Sequence, residues 1–239
     1  MEITSINNEK VKFWQKLNLK KYRDLEGLFL VEDEHLVIEA LKKGIVKEII
    51  TVENNINYNV PTFIVTEKIM KILSNQVTSS KIIAVCESLK STNVSGNILI
   101  LDHLQDPGNL GTIIRSAVAF NFHTIVLSND CVDIYNPKVI RASEGMLFHV
   151  NIIKTNIEDF LTNLDKSYLI ITTDVHNGKN IKTLKFKKCA LIIGNEGAGV
   201  SQSIRKLADE AVYIDMNKNC ESLNAGVSAS ILMYEVNNE

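Results

Sequence analysis

The feature that most constrains this chain is the rhythm of its second half. Six short apolar runs follow one another: ILILD (98–102), TIVL (124–127), FHVNII (148–153), YLIIT (168–172), ALII (190–193) and AVYI (211–214). Continuous apolar runs suit strands buried on both faces, and the helical stretches between them suit the crossovers of a mostly parallel sheet. The expected fold class is therefore α/β. The last segment, 222–236, reads as a helix with Leu223, Val227, Ile231 and Met233 or Tyr234 turned inward, and with Ser222 as its N-cap.

The first half has the makings of a smaller α/β layer with its own core. Strands are predicted at 28–31, 47–52, 62–65 and 81–86, and helices at 7–19, 34–43 and 67–74. Gly44 closes the second helix. A short Ser-rich stretch, SLKSTNVSG (88–96), reads as a linker, which sets the expected domains at 1–90 and 91–239.

A chain of 239 residues can hold one large domain or two small ones. With 45% hydrophobic and 23% charged residues it has a globular composition. No apolar run approaches the roughly 18 residues of a membrane span, and MEITSINNEK is too polar for a signal peptide. A cytoplasmic location without membrane contact is the expectation. The four cysteines are far apart and the five histidines, His176 among them, are scattered, so no metal site is expected and the thiols read as core residues. A net charge of −2 announces no strongly basic nucleic-acid binder. Locally, Lys10, Lys12, Lys16, Lys20, Lys21 and Arg23 form a basic N-terminal stretch that suits either a solvated helix face or a phosphate contact.

In an open parallel sheet, ligands gather beyond the carboxyl ends of the strands. Three loops of the second half lie there. DPGNLGTIIRSA (106–117) enters a helix through Asp106 and Pro107 and carries Arg115 about one turn in. ALIIGNEGAGVS (190–201) has a G-x-x-G-x-G spacing that is not the dinucleotide fingerprint, and no phosphate-binding P-loop occurs. Glu196 inside that glycine loop would repel phosphate and suits a cationic or hydroxyl-bearing ligand. YIDMNKNCESLNAGVSAS (213–230) ends a strand and opens the last helix. Together they place Asn, Arg, Glu and Ser side chains beside apolar positions at one sheet edge, as a flat, partly cationic ligand would require.

These residues resemble a known family. Asn109-Leu-Gly-Thr-Ile-Ile-Arg115, Ile193-Gly-Asn-Glu-Gly-Ala-Gly199 and Ser222-Leu-Asn224 follow the ordered motifs of the SpoU/TrmH family of SPOUT RNA methyltransferases. KYRDLEGLFLVEDEHLVIEAL (21–41) resembles the family's RNA-binding accessory domain, so the resemblance covers nearly the whole chain. It implies a C-terminal trefoil knot, a homodimer, and S-adenosylmethionine as methyl donor. By the same resemblance, Gly194, Ile214, Leu223, Thr172 and Met216 contact the cofactor, and Arg115, Asn109, Glu196, Ser222 and Asn224 are the catalytic set. The reaction implied is methylation of a ribose 2′-hydroxyl in structured RNA. The separate N-terminal domain favours ribosomal over transfer RNA. The alternatives are a transfer-RNA ribose methyltransferase and a non-catalytic RNA-binding or ribosome-assembly protein of the same fold.

Guanidinium hardly ever loses its proton, so Arg115 is expected to bind phosphate and stabilise a developing alkoxide rather than act as a base. Three departures stand out. Ile214-Asp215-Met216 replaces the family's Ile-Pro-Met, Ala225-Gly226 replaces Val-Ser, and Glu32-Asp33-Glu34 stands where the family has Glu-Gly.

Overall fold

The computed structural model describes residues 1–53, 58–174 and 178–237. They form two compact units. One is Met1–Lys90 with Asp133–Phe148, and the other is Ser91–Val132 with His149–Glu239. Part of the predicted loop between the strands at 47–52 and 62–65, and His176, lie outside the described residues.

In chain order the first unit contains β1 (Glu2–Ile3), α1 (Glu9–Lys16), α2 (Lys20–Glu26), β2 (Leu28–Glu32), α3 (Glu34–Lys43), β3 (Val46–Thr51), β4 (Thr62–Val65), α4 (Glu67–Leu73) and β5 (Ile82–Glu87). The sheet order is β1-β4-β3-β5-β2, with β5 antiparallel to both neighbours. Trp14, Leu17, Ile69 and Leu73 bury the helix faces against Ile50 and Ile83 of the sheet. Trp14 also meets the Phe63 ring edge-on, with centroids 5.4 Å apart, and its indole N–H donates to Glu48 Oε2 at 2.8 Å.

The helix predicted at 7–19 stops early, at Lys16, and a second helix that was not expected, α2, follows from Lys20. Arg23 explains the break, because its Nη1 donates to the carbonyls of Leu17 (3.0 Å) and Asn18 (2.9 Å) just past the end of α1. Its Nη2 pairs with Asp133 Oδ2 at 2.5 Å. Arg23 is thus a buried clamp and not part of a phosphate-facing stretch. Lys10 and Lys20 are paired with Glu48 and Asp24. Asp33 has φ of 81°, a region L-residues avoid. Gln76 Nε2 donates to its carboxylate at 2.8 Å, and its own N–H donates to Ser80 Oγ at 3.2 Å.

The rest of the chain runs β6 (Asn97–Leu101), α5 (Pro107–Ala119), β7 (Phe122–Leu127), α6 (Pro137–Ala142), β8 (Asn151–Lys154), α7 (Ile157–Thr162), β9 (Leu169–Thr173), β10 (Lys179–Asn180), β11 (Cys189–Ile193), α8 (Gln202–Arg205), β12 (Glu210–Tyr213) and α9 (Ala225–Asn237). Seven strands form one sheet in the order β10-β12-β9-β11-β6-β7-β8, and every pairing is parallel. The α/β reading with a mostly parallel sheet is borne out. The chain leaves β6 towards β7 and β8, then returns to build β9, β11 and β12 on the other side. The switch in direction lies between β6 and β11.

The segment Asp133–Phe148, which carries α6, packs with the first unit. Tyr135 stacks on Phe29 at 4.2 Å between centroids, and its hydroxyl accepts from Leu89 N at 2.6 Å. Burial raises the pKa of this Tyr hydroxyl, against the lowering pull of the Leu89 N–H. The predicted strand at 148–153 starts late. Glu144 and Gly145 adopt left-handed backbone and a 3-10 turn, Met146–His149, follows them before β8.

Two further expectations need correction. The last helix begins at Ala225, and Asn224 rather than Ser222 is its cap, with Oδ1 accepting from Gly226 N (2.9 Å) and Val227 N (3.3 Å). Its inward stripe is Ala225, Ala229, Leu232, Met233 and Val236, while Val227 and Tyr234 are exposed. The thiols are not all core residues: Cys86, Cys131 and Cys189 are buried, but Cys220 is exposed in the loop before α9. No helix among the described residues is long and apolar enough to cross a membrane.

Candidate active site

The site is built at the switch point of the parallel sheet, where α/β folds place their ligands. The loop after β6 and the glycine loop after β11 stand side by side there. Asp102, fully buried at the end of β6, joins them: its N–H donates to Ile193 O at 2.9 Å, and its Oδ2 accepts from Ser201 N at 2.8 Å. Its other oxygen bonds His103 Nδ1 at 2.6 Å.

The glycine loop folds back on itself. Asn195 and Gly199 exchange backbone hydrogen bonds at 3.0 Å each way. Asn195 Oδ1 accepts from Gly197 N (2.9 Å) and Ala198 N (3.1 Å) inside the turn. Gly194 has no alternative residue type. A Cβ there would lie 2.1 Å from both Gly199 C and Val200 N, deep inside backbone atoms that cannot move aside.

Three motifs distant in sequence meet in one hydrogen-bonded chain. Asp106 caps α5 by accepting from Asn109 N at 2.8 Å, which places the Asn109 amide in the first turn. Asn109 Nδ2 donates to Glu196 Oε1 at 3.0 Å, and Asn224 Nδ2 donates to Asn109 Oδ1 at 2.8 Å. Asp106 N also donates to Glu196 Oε1, at 3.3 Å. Burial pushes the Glu196 carboxyl pKa up, but the hydrogen bonds from Asn109 and from backbone N–H groups outweigh it, so it sits below the ordinary value. Glu196 is an anion at neutral pH.

Beside this chain a cavity of about 240 Å³ opens at the carboxyl ends of β9, β11 and β12, roofed by α9. Ile193, Val212, Ile214, Met216, Leu223 and Leu232 supply its apolar wall. Polar edges come from Thr173, Asp174, Glu196 and Ser222. Of the residues read from sequence, Gly194, Ile214, Met216, Leu223, Ser222 and Glu196 all line it. Thr172 does not. Its side chain is buried with Oγ1 unpartnered, and the next residue, Thr173, turns to the cavity because side chains alternate along a strand. Asp174, which sequence reasoning missed, lines it as well.

Arg115 is exposed in the third turn of α5, further along than the sequence suggested, and is not part of the cavity wall. Asp215 is exposed and leaves Met216 in the wall. Gly226 relieves crowding: a Cβ there would come within 3.2 Å of Asn224 Oδ1 and 3.5 Å of Asn109 Oδ1. Among the described residues there is no group of three or more His, Cys, Asp or Glu side chains that could hold a metal.

Comparisons with known proteins agree with this geometry. Residues 96–234 match the model of the SpoU rRNA Methylase family, and residues 8–84 match an MRM3-like substrate binding domain. The chain is 34% identical over 244 residues to the 23S rRNA (guanosine(2553)-2'-O)-methyltransferase RlmP of Bacillus subtilis (strain 168), covering 98% of each. An AdoMet-bound rRNA methyltransferase from Sinorhizobium meliloti superposes with a TM-score of 0.89 at 26% identity, over 100% of this chain and 97% of that one. The SpoU methyltransferase AviRb from Streptomyces viridochromogenes, in complex with AdoMet, superposes with a TM-score of 0.86 at 25% identity, over 97% and 98%. A family model that matches more than half of the chain, a relative matched end to end, and the meeting of all three motifs in one hydrogen-bonded chain beside the cavity lead to one conclusion: the chain belongs to the SpoU rRNA methylase family.

Proposed function

We propose that this protein transfers a methyl group from S-adenosylmethionine to a ribose 2′-hydroxyl of ribosomal RNA, as the name of its Bacillus subtilis relative states for that protein. The observation that carries the reading is the cavity itself. Its apolar wall suits a flat purine, and the Glu196 carboxylate suits a cationic, hydroxyl-bearing donor while opposing a polyphosphate. Gly194, Ile214, Met216, Leu223 and Ser222 would hold the donor, which supplies an electrophilic methyl on a sulfonium. Thr172 supports the wall from the opposite face of β9.

The residues around the cavity have separable tasks. Glu196, Asn109 and Asn224 form a rigid polar chain that orients the reacting sugar next to the donor site. Ser222 offers a hydroxyl on the same rim. Arg115 binds RNA phosphate and stabilises negative charge on the attacking oxygen, because it presents fixed donors and keeps its charge. Its exposed place on α5 suits contact with a large substrate.

Residues 1–90 serve as the RNA substrate-binding part and residues 91–239 as the methyl-transfer part. In the first, Lys12, Lys16 and Lys21 are exposed on α1 and α2, ready to follow a phosphate backbone. The exposed Val227 and Tyr234 on α9 favour a homodimer through that helix. The loops after β11 and β12 form the trefoil knot of this superfamily, and the protein works in the cytoplasm.

Incubation with labelled S-adenosylmethionine and unmodified ribosomal or transfer RNA, followed by mapping of the labelled ribose, tests the proposal. Label on ribosomal RNA is the expected result. Label on transfer RNA alone would replace the substrate, and donor binding without any transfer would favour the assembly-protein alternative.

A further inference from the structure

Asp174 and Arg205 make a second polar feature of the cavity that the family motifs do not assign. Arg205 ends α8. Its Nε donates to Val200 O at 2.8 Å and its Nη1 to Asp174 Oδ2 at 3.2 Å. One guanidinium therefore ties the glycine loop to the end of β9. Asp174 is fixed from its backbone too, because its N–H donates to Val212 O at 2.9 Å. Its carboxylate lines the cavity beside Thr173, Gly194 and Tyr213.

The two carboxylates of the cavity differ in the groups that face them. Glu196 is engaged by Asn109 and Asp106, and Asn195 Nδ2 lies 3.5 Å from its second oxygen. Asp174 faces a cation that cancels its charge. A carboxylate has about four acceptor sites, so an arginine-bound one still accepts hydrogen bonds while drawing in no net positive charge. Such a group discriminates by hydrogen-bond geometry and not by field. Its natural match is a pair of neighbouring hydroxyls, where two O–H donors meet two carboxylate oxygens.

Resting on the methyl-donor reading above, we propose that Asp174 recognises the ribose hydroxyls of the nucleoside cofactor, and that Arg205 is the positioning residue that aims it. Arg205 does this by holding β9 and the glycine loop in register across the cavity mouth.

Calorimetric titration of the full chain with S-adenosylhomocysteine and with its 2′,3′-dideoxy analogue tests this without turnover. The native protein should prefer the hydroxylated ligand by about 10–100-fold, the range for hydrogen bonds to a charged acceptor. Asp174→Asn should lose most of that preference while melting near the native temperature. Arg205→Gln should lose it as well, and Arg205→Lys should recover part of it. Equal preference in the native protein and Asp174→Asn would overturn the assignment of Asp174. An unchanged preference in Arg205→Gln would overturn the positioning role. A native protein that binds neither ligand would sink the donor reading itself, and this proposal with it.

Discussion

Asn109 Nδ2 donates to Glu196 Oε1 at 3.0 Å, across eighty-seven positions of chain. The contact joins the first turn of α5 to the glycine loop after β11, and Asn224 extends it to the cap of α9. Replacing Glu196 by Gln keeps the shape but removes the anion that the donors converge on. We expect methyl transfer to fall by about 100-fold, the cost of misplacing a reacting group by an ångström. Single-turnover rates, compared with donor affinity measured by calorimetry, would separate orientation from binding. An unchanged rate would remove Glu196 from the active set.

The same carboxylate gives an acid-side signature. Its folded pKa is depressed despite burial, because Asn109 and backbone N–H groups stabilise the charged form. A depressed carboxyl contributes stability that is complete above its unfolded value and disappears as pH falls through the folded value. The stability gap between the native protein and Glu196→Gln should therefore be constant near neutrality and shrink in acid. Urea unfolding at a series of pH values reads it, and a gap that widens in acid would reverse the assignment.

Gly194→Ala is the sharpest test of the loop geometry. The added methyl would sit 2.1 Å from backbone atoms of Gly199 and Val200. We expect a loss of about 3 kcal/mol or more, at the upper end for overpacking a site that cannot relax. Donor binding should be lost as well. Thermal unfolding near the native temperature with donor affinity intact would show the loop to be more pliable than its contacts imply.

The Arg115 side chain makes no hydrogen bond or ion pair within the described residues and stands exposed on α5. Arg115→Lys should therefore shift stability by no more than about 0.5 kcal/mol. It keeps the charge but lacks the planar fork. Methyl transfer should collapse with donor affinity unchanged. Full transfer by the lysine variant would mean that charge alone suffices.

Arg23→Ala removes one partner of a buried ion pair and leaves Asp133 facing a void. A loss of about 3–5 kcal/mol is expected, as for other broken buried pairs. The double variant with Asp133→Ala should recover part of it. Additive losses in the two single variants would argue that the pair is not coupled.

Much of this was legible in the chain itself. The core strands of the large sheet announced themselves because strands buried on both faces are apolar without interruption, and Ala190 to Ile193 beside Ile98 to Leu101 are such a pair. The three motifs could be seen to share a sheet edge, since each follows a strand. What stayed hidden depended on rotation and distance. Whether Thr172 or Thr173 faces the cavity turns on strand parity, which an end residue does not reveal. Asn224, not Ser222, caps α9, and its buried stripe falls on Ala225, Ala229, Leu232, Met233 and Val236 rather than on Val227 and Ile231, as the apolar pattern suggested. Asp174 has no motif, and only its neighbour Arg205, far along the chain, shows its place. The early end of α1 goes with Arg23, whose guanidinium takes the carbonyls of Leu17 and Asn18 although its charge suggested solvent.

The bedding of Asp133–Phe148 against the N-terminal fold has a practical corollary for anyone cutting this molecule apart. The polypeptide passes between its two bodies three times, after Lys90, after Val132 and after Phe148. A fragment started at Ser91 would carry Val139, Ile140, Leu147 and Phe148 as a greasy strap stripped of its cover. Chimeras that swap the substrate-binding body between relatives must therefore exchange two stretches of gene, with three seams, or the recipient inherits a misfit limb.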